Sequence, residues 1–352
     1  MTAHPATPGL AARTALVRAG RIRRSRRRAI VIGILAAAVL SLVFAEIMLG
    51  KTFYPVSDVL AVLRGESVPG ASFTVGTLRL PRALIGALAG LAFGAAGTTF
   101  QTMLRNPLAS PDVIGISAGA SAAAVVSLVV LRWSGTTTLF VALIAGVAVA
   151  AAIYLAARGG ESTGGRLILI GIGIGAMLDA VVSFAIQRAA EWDVAVAMRW
   201  LTGSLNGSRW ESVLPLGIAV AVLLPLLALL SRQLRALELG DAAATALGVR
   251  VDHVRVVLII AAVALTCFAT ATTGPIAFVA FLAGPIVSRL AGHGSSLTVP
   301  AALMGACLVL TADLIGQFAF DTRFPVGVIT GILGAPYLLY LLIRTSRRGG
   351  SS

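Results

Sequence analysis

The chain has 352 residues, 58% hydrophobic and 12% charged, with 28 Lys+Arg against 14 Asp+Glu. Soluble domains carry about 45–50% apolar and about 25% charged residues. No soluble interior could bury this excess, so a soluble globular protein is excluded. The apolar residues run in stretches of about 20, the length that crosses a bilayer as a helix. The alternating ten-residue segments of a membrane β-barrel are absent.

Residues 1–28 hold eight arginines and no acid. Such a block can be a nucleic-acid patch. Here Ala29 opens an apolar run at once, and the positive-inside rule gives the simpler reading, a cytoplasmic anchor ahead of a first membrane helix. That run, 29–49, is too long for a signal-peptide core and lacks a small-residue cleavage site, which predicts a retained helix. Further spans are predicted at 82–104, 112–131, 139–157, 166–188, 211–231, 254–273, 275–291, 298–317 and 326–343. Ten spans put both termini on the cytoplasmic side. Inner loops, tails and adjoining span ends hold 19 Arg against 9 Lys+Arg outside, in line with that topology. The chain then divides into a basic tail at 1–28, an all-α ten-helix membrane domain at 29–345 and a short cytoplasmic tail at 346–352.

Three connecting segments are long enough for structure of their own. Residues 50–81 end in Leu78-Arg79-Leu80-Pro81, running into Arg82. Residues 189–210 carry Trp192, Trp200 and Trp210, suited to a membrane interface. The third, predicted on the inner side, runs from Leu237 to Val249. Its middle, Asp241–Leu247, reads as a short helix with Asp241 in the first turn and Gly248 just past the end. A short, nearly uncharged helix between two spans has no bilayer role, and it reads as a docking element for a soluble partner.

Small residues recur every four positions at Gly86, Gly90 and Gly94, at Gly115 and Gly119, at Gly171 and Gly175, and at Gly327 and Gly331. This spacing lets helix backbones approach closely. Asn106-Pro107, Gly274-Pro275 and Gly284-Pro285 predict broken helices of the kind that line transport pathways. Two nucleotide motifs match only in letters. Ala45–Thr52 mimics a P-loop at the end of a span, and Gly171–Ala176 mimics a dinucleotide fingerprint with no βαβ context. Any ATP hydrolysis would therefore belong to a separate subunit. His4, His253 and His293 are scattered, no catalytic set can be placed on one face, and Cys267 and Cys307 lack metal-ligand spacing, so neither a catalytic nor a metal site is predicted.

Two acids fall inside spans, where each costs about 2.5–3.5 kcal/mol at a helix centre. For Asp313 a hydrogen bond to a neighbouring helix is the favoured reading. For Asp179 a pathway wall and a packing bond stand level. Asp112 opens a span and suits a helix N-terminus.

Taken together, several ordered segments resemble the FecCD-type permeases, the membrane subunits of ABC importers for ferric siderophores, haem and cobalamin. They are Leu78–Arg82 with Gly94 and Gln101; Arg105-Asn106-Pro107-Leu108-Ala109 with Pro111, Gly115 and Gly119; Gly203-Ser204-Leu205 with Trp210; Leu239–Val249; Gly274–Val279; Ala312-Asp313; and Phe324–Val328 with Gly334-Ala335-Pro336. The resemblance implies a type II ABC importer permease fold, paired with a second permease, two ATPase subunits and an extracytoplasmic binding protein. ATP and Mg would sit on the ATPase, and no cofactor on this chain. Residues 238–249, with Leu239, Gly240, Asp241, Ala243, Ala244, Leu247 and Gly248, match the coupling helix. Thr163, Gly164 and Gly165 match a cytoplasmic gate loop beginning at Ser162. Arg79 and Arg82 match arginines that meet the binding protein. A third such arginine is replaced by Gln317, with Arg323 nearby. Gly175 and Asp179 would lie by the pathway. Arg105, Asn106, Pro107 and Asp313 would be structural. Ile286 stands where many members have histidine. A proton- or ion-coupled secondary transporter, with Asp179 and Asp313 as coupling residues, is the competing class.

Overall fold

A computed structural model describes residues 10–112, 115–133, 135–157, 163–292 and 296–349, and among them the chain is helical without strands. The helices, in order, are α1 (Leu10–Met48), α2 (Val56–Leu63), α3 (Ala71–Phe73), which passes through a π-helical turn at Thr74–Arg79 into α4 (Leu80–Met103), α5 (Ile116–Val125) with a π-helical extension Val126–Val130, α6 (Thr136–Ala157), α7 (Thr163–Gln187), α8 (Glu191–Leu201), α9 (Trp210–Leu229), α10 (Ser231–Glu238), α11 (Asp241–Ala246), α12 (Val251–Thr273), α13 (Val279–Ala291), α14 (Thr298–Phe318) and α15 (Val326–Gly349).

Every predicted span coincides with a helix. Among the described residues, seven stretches are long and apolar enough to cross a membrane, and the regions of α5, α13 and α15 give shorter apolar helices. α1 does not stop at the edge of the basic tail. It begins at Leu10 and runs for 39 residues, because alanine and arginine are both good helix formers and 10–28 holds no proline. α15 likewise passes the predicted end of the membrane domain.

α4 is the centre of the bundle and packs on α1, α9, α12, α13 and α14. Its glycines make this possible. A Cβ on Gly94 would lie 2.2 Å from the Ala301 carbonyl oxygen, and one on Gly305 would lie 2.1 Å from that of Gly90, so α4 and α14 meet backbone to backbone. Gly97 meets Ala280 of α13 in the same way. The most apolar window of the α4 stretch is 83% buried, whereas those of α1 and α7 are 17% buried. α4, α12 and α14 therefore form a core, and α1, α7 and α9 surround it with faces turned outward.

One expected break is present and another is not. The chain leaves helix between Thr273 and Val279, with Phe278 in the left-handed region at φ 66°. Gly284-Pro285, in contrast, lies inside α13. The carbonyl of Phe281, which Pro285 cannot pair with, accepts a 2.9 Å hydrogen bond from Gln101 Nε2 of α4. A neighbouring side chain thus supplies what the proline lacks, and the helix continues.

Candidate functional site

The expected docking element lies beyond the end of α9. α10 is amphipathic, burying Leu234 and Leu237. Gly240, at φ 105°, turns the chain into α11 in a conformation that favours glycine. α11 ends in a Schellman motif. Gly248 sits at φ 82°, its N–H bonds to the Thr245 carbonyl, and the Val249 N–H bonds to that of Ala244. Ala244 is fully buried, while Leu239 and Leu247 are 68% and 66% exposed at the two ends of α11. A capped short helix thus holds two large apolar side chains exposed outside the spans. Ala243 lies half-buried between them.

Arg105 fixes this element to the core. α4 also ends in a Schellman motif, with the Arg105 N–H bonded to the Thr102 carbonyl and the Asn106 N–H to that of Gln101. The left-handed position is taken by Arg105, at φ 51°, where glycine is usual. The side chain accounts for the choice. Its Nε donates to the Leu237 carbonyl at 3.0 Å and its Nη2 to Asp241 Oδ1 at 3.1 Å. Arg255 of α12 donates to both carboxylate oxygens of Asp241 at 2.9 Å. Asp241 is half-exposed, so these pairs contribute at most about 1 kcal/mol each to stability. Their effect is positional, because they join the start of α11 to α4 and α12. Asn106 Oδ1 accepts from the Leu108 N–H and the Pro107 carbonyl from Gln101, shaping the turn after α4. A cavity of about 300 Å³ opens beside that turn, with Arg105, Gln101, Ser288 and Glu238 in its wall. Partial burial pushes the Glu238 carboxyl up, and Arg235 opposes this.

At the opposite end of α4, the arginines read as docking residues are tied into the fold. Arg79 donates to the carbonyls of Ile47 and Met48 at 2.9 Å and of Thr52 at 2.7 Å, closing the end of α1. It also stacks over Tyr54. Arg82 makes a two-pronged ion pair with Asp313 of α14, at 2.7 and 2.8 Å, and donates to Asn206 Oδ1 at 2.6 Å. Asp313 is fully buried and also accepts from Gln317 at 2.7 Å. Glu46 of α1 is buried next to this group. Arg323 is exposed. Gln317 stands where the resemblance expects an arginine, and here its amide neutralises part of the Asp313 acceptor capacity. The sequence carried one signal for this contact, the i, i+4 spacing of Asp313 and Gln317. For Asn206, Glu46 and Arg255 it carried none, since each partner is distant in the chain.

α7 differs from the core helices. Thr163, Gly164 and Gly165 form its first turn rather than a loop, and Ser162 lies outside the described residues. Gly171 and Gly175 face α5. A Cβ on Gly115 would sit 2.7 Å from the Gly171 carbonyl oxygen. The other side of α7 exposes Leu169, Ile172, Met177, Val181 and Phe184. Asp179 is exposed on this helix as well, and among the described residues its carboxylate has no hydrogen bond or ion pair. Gly175 is buried against Gly115, whereas Asp179, one turn further along the same helix, is exposed.

A helical membrane bundle with a capped, apolar-tipped short helix anchored to its central helices has the form of a transporter's membrane subunit. Residues 34–344 match the FecCD transport family, and the chain belongs to it. It is an integral membrane permease of the ABC importer type, with ATP hydrolysis on separate subunits. It is 40% identical over 301 residues to the ferric enterobactin transport system permease protein FepG of Escherichia coli K12, covering 85% of this chain and 91% of that one. It is 36% identical over 329 residues to the Fe(3+)-citrate import system permease protein YfmE of Bacillus subtilis 168, covering 93% of this chain and 98% of that one. Its fold matches a chain of a solved inward-facing transporter described as metal-chelate type, with a TM-score of 0.79 and 24% identity over 89% of this chain and 98% of that one.

Proposed function

We propose that this chain carries a ferric siderophore across the cytoplasmic membrane by alternating access. It would act as one of two permease subunits, with two cytoplasmic ATPases and an extracytoplasmic binding protein. The observation that supports this best is its similarity, over most of its length, to permeases named for ferric enterobactin and ferric citrate. In this reading ten helices cross the membrane, both termini are cytoplasmic, and α11 seats in a cleft of the ATPase with Leu239 and Leu247 as its apolar contacts. Movement of the ATPase pair would push α11. Arg105 and Arg255 would pass the displacement to α4 and α12, since both hold Asp241. Gly164 and Gly165 would lower the energy of rearranging a gate at the start of α7. The exposed face of α7 would meet the second permease around the pathway, giving Asp179 a polar surrounding. Arg323 and the outer surface of Arg79 would steer the binding protein, while Arg82 would hold that surface in place through Asp313.

The test is uptake of radiolabelled ferric siderophores, haem and cobalamin by iron-limited cells with and without this chain. Loss of uptake of a ferric siderophore alone is expected. Loss of haem or cobalamin uptake instead would overturn the cargo while keeping the machine. Ala243→Trp should abolish uptake by blocking the ATPase. Normal uptake in that variant would favour an ion-coupled carrier, which has no need of α11.

A further inference from the structure

α6 and α12 meet closely at Gly146, where a Cβ would lie 2.8 Å from Cys267 Sγ. From there towards the C-terminus of α6 and the N-terminus of α12, small side chains leave the seam unfilled. Ala150 and Ala151 of α6 and Ala264 of α12 border a groove of about 260 Å³. Ile259 and Val263 are its buried side, while Val147, Leu155 and Ile260 stand exposed at its rim. Tyr154 apart, every side chain bordering it is aliphatic. At 1.5 Å per residue, the stretch from Val147 to Leu155 is about 12 Å long. One leaflet of a bilayer holds about 15 Å of hydrocarbon, so the groove matches the larger part of one acyl chain.

The position of the groove along its helices points to the same occupant. Both borders are helices long and apolar enough to cross a membrane. α6 ends at Ala157, two residues beyond Leu155, and α12 begins at Val251, five before Val256, which also borders the groove. One end of the groove therefore lies where the spans leave the hydrocarbon, the level that the amphipathic ring of Tyr154 suits. His253 lies three residues before Val256 and seven before Ile260, on the same stripe of α12, and it is exposed, as are Arg250 and Asp252. The ion pairs among the described residues include neither Arg250 nor Asp252. An aliphatic slot with charges of both signs at one end matches a molecule with a hydrocarbon tail and a zwitterionic head. We propose that the groove binds one acyl chain of a phospholipid from the leaflet on the α11 side, with the phosphate at Arg250 and His253. Phosphatidylethanolamine, whose ammonium donates to Asp252, fits the mouth best. The chain braces α6 against α12, the helix whose Arg255 holds Asp241 at the start of α11.

The test is photolabelling of the full chain in phosphatidylcholine vesicles doped with a phosphatidylethanolamine that carries a diazirine in its acyl chain, read by peptide mass spectrometry. Label should concentrate on residues 147–155 and 256–264 and be displaced by unlabelled phosphatidylethanolamine. Ala264→Trp should lower it about tenfold, the equivalent of roughly two methylenes kept out of the groove. The same variant should leave the label on the exposed face of α7 unchanged. If Ala264→Trp fails to insert, Ala151→Trp at the rim carries the comparison. Label spread evenly over every exposed helix face would overturn the proposal, leaving bulk lipid only. So would undiminished label in the filled variants. The same labelling of the chain purified with its partner subunits should give the same two stretches, and their protection there would assign the groove to a protein contact instead.

Discussion

Two acids on spanning helices, Asp313 and Asp179, show how differently one residue type is handled in this fold. Asp313 lies on α14 at the Arg82 end of its seam with α4. It is fully buried, held by both prongs of Arg82 and by Gln317. Asp179 lies on α7, exposed and unpaired among the described residues. A carboxylate facing hydrocarbon is expensive, and the described residues of this chain supply the Asp179 carboxylate with no partner. Asp313 is an internal rivet, whereas the Asp179 side chain has no partner among the described residues. The same contrast holds for the helices that carry them, since α4 and α14 build the bundle and α7 presents a surface.

The largest effect should come from removing the cation of the internal pair. Arg82→Ala leaves Asp313 buried beside Glu46 with no counter-charge. It should destabilise the chain by about 3–5 kcal/mol, read as thermal unfolding in detergent. Arg82→Leu with Asp313→Leu should recover most of that loss, and a stable Arg82→Ala single variant would erase the distinction between the two acids. Next is Gly94→Val, whose Cβ would fall 2.2 Å from the Ala301 carbonyl oxygen. Overpacking of this kind costs about 1–3 kcal/mol. The matching change on α7, Gly173→Ala, meets nothing within 4 Å and should stabilise the isolated chain by up to about 1 kcal/mol through helix propensity. If the two glycines respond alike, α7 is not the open helix described above. Leu247→Asp should change stability by less than about 0.5 kcal/mol while preventing co-purification with the ATPase. The smallest stability change, near zero, is expected for Asp179→Asn. Its readout is uptake, and unchanged transport would show that the charge has no role.

Much of this architecture was legible in the sequence. The apolar runs located the helices, because a bilayer requires about 20 apolar residues per crossing. The run from Gly240 to Gly248 marked a short capped helix, since glycine flanking a short polar-started segment has a direct backbone meaning. Spacing of small residues pointed to tight crossings, though not to which helices cross. The Pro285 break was misread for the same reason: proline removes a donor locally, but whether the helix breaks depends on who satisfies Phe281, and that donor, Gln101, is far away in the chain. Arg82 shows the limit most clearly. As a sequence position near the end of a span it reads as a surface charge, and only the packing of α14 against α4 turns it inward.

The sequence by itself determined that this is a helical membrane protein, where its helices lie, and that a short capped helix interrupts them. These follow from hydropathy, period and capping, which act within a few turns of chain. Tertiary structure alone decided the partners: Asp313 with Arg82, Asp241 with Arg105 and Arg255, and Arg27 with the end of α13. Those contacts join residues from about 14 to more than 260 positions apart, a distance over which neither propensity nor periodicity carries information. They form because α4 is stripped of side chains along its seams and the surrounding helices close on it.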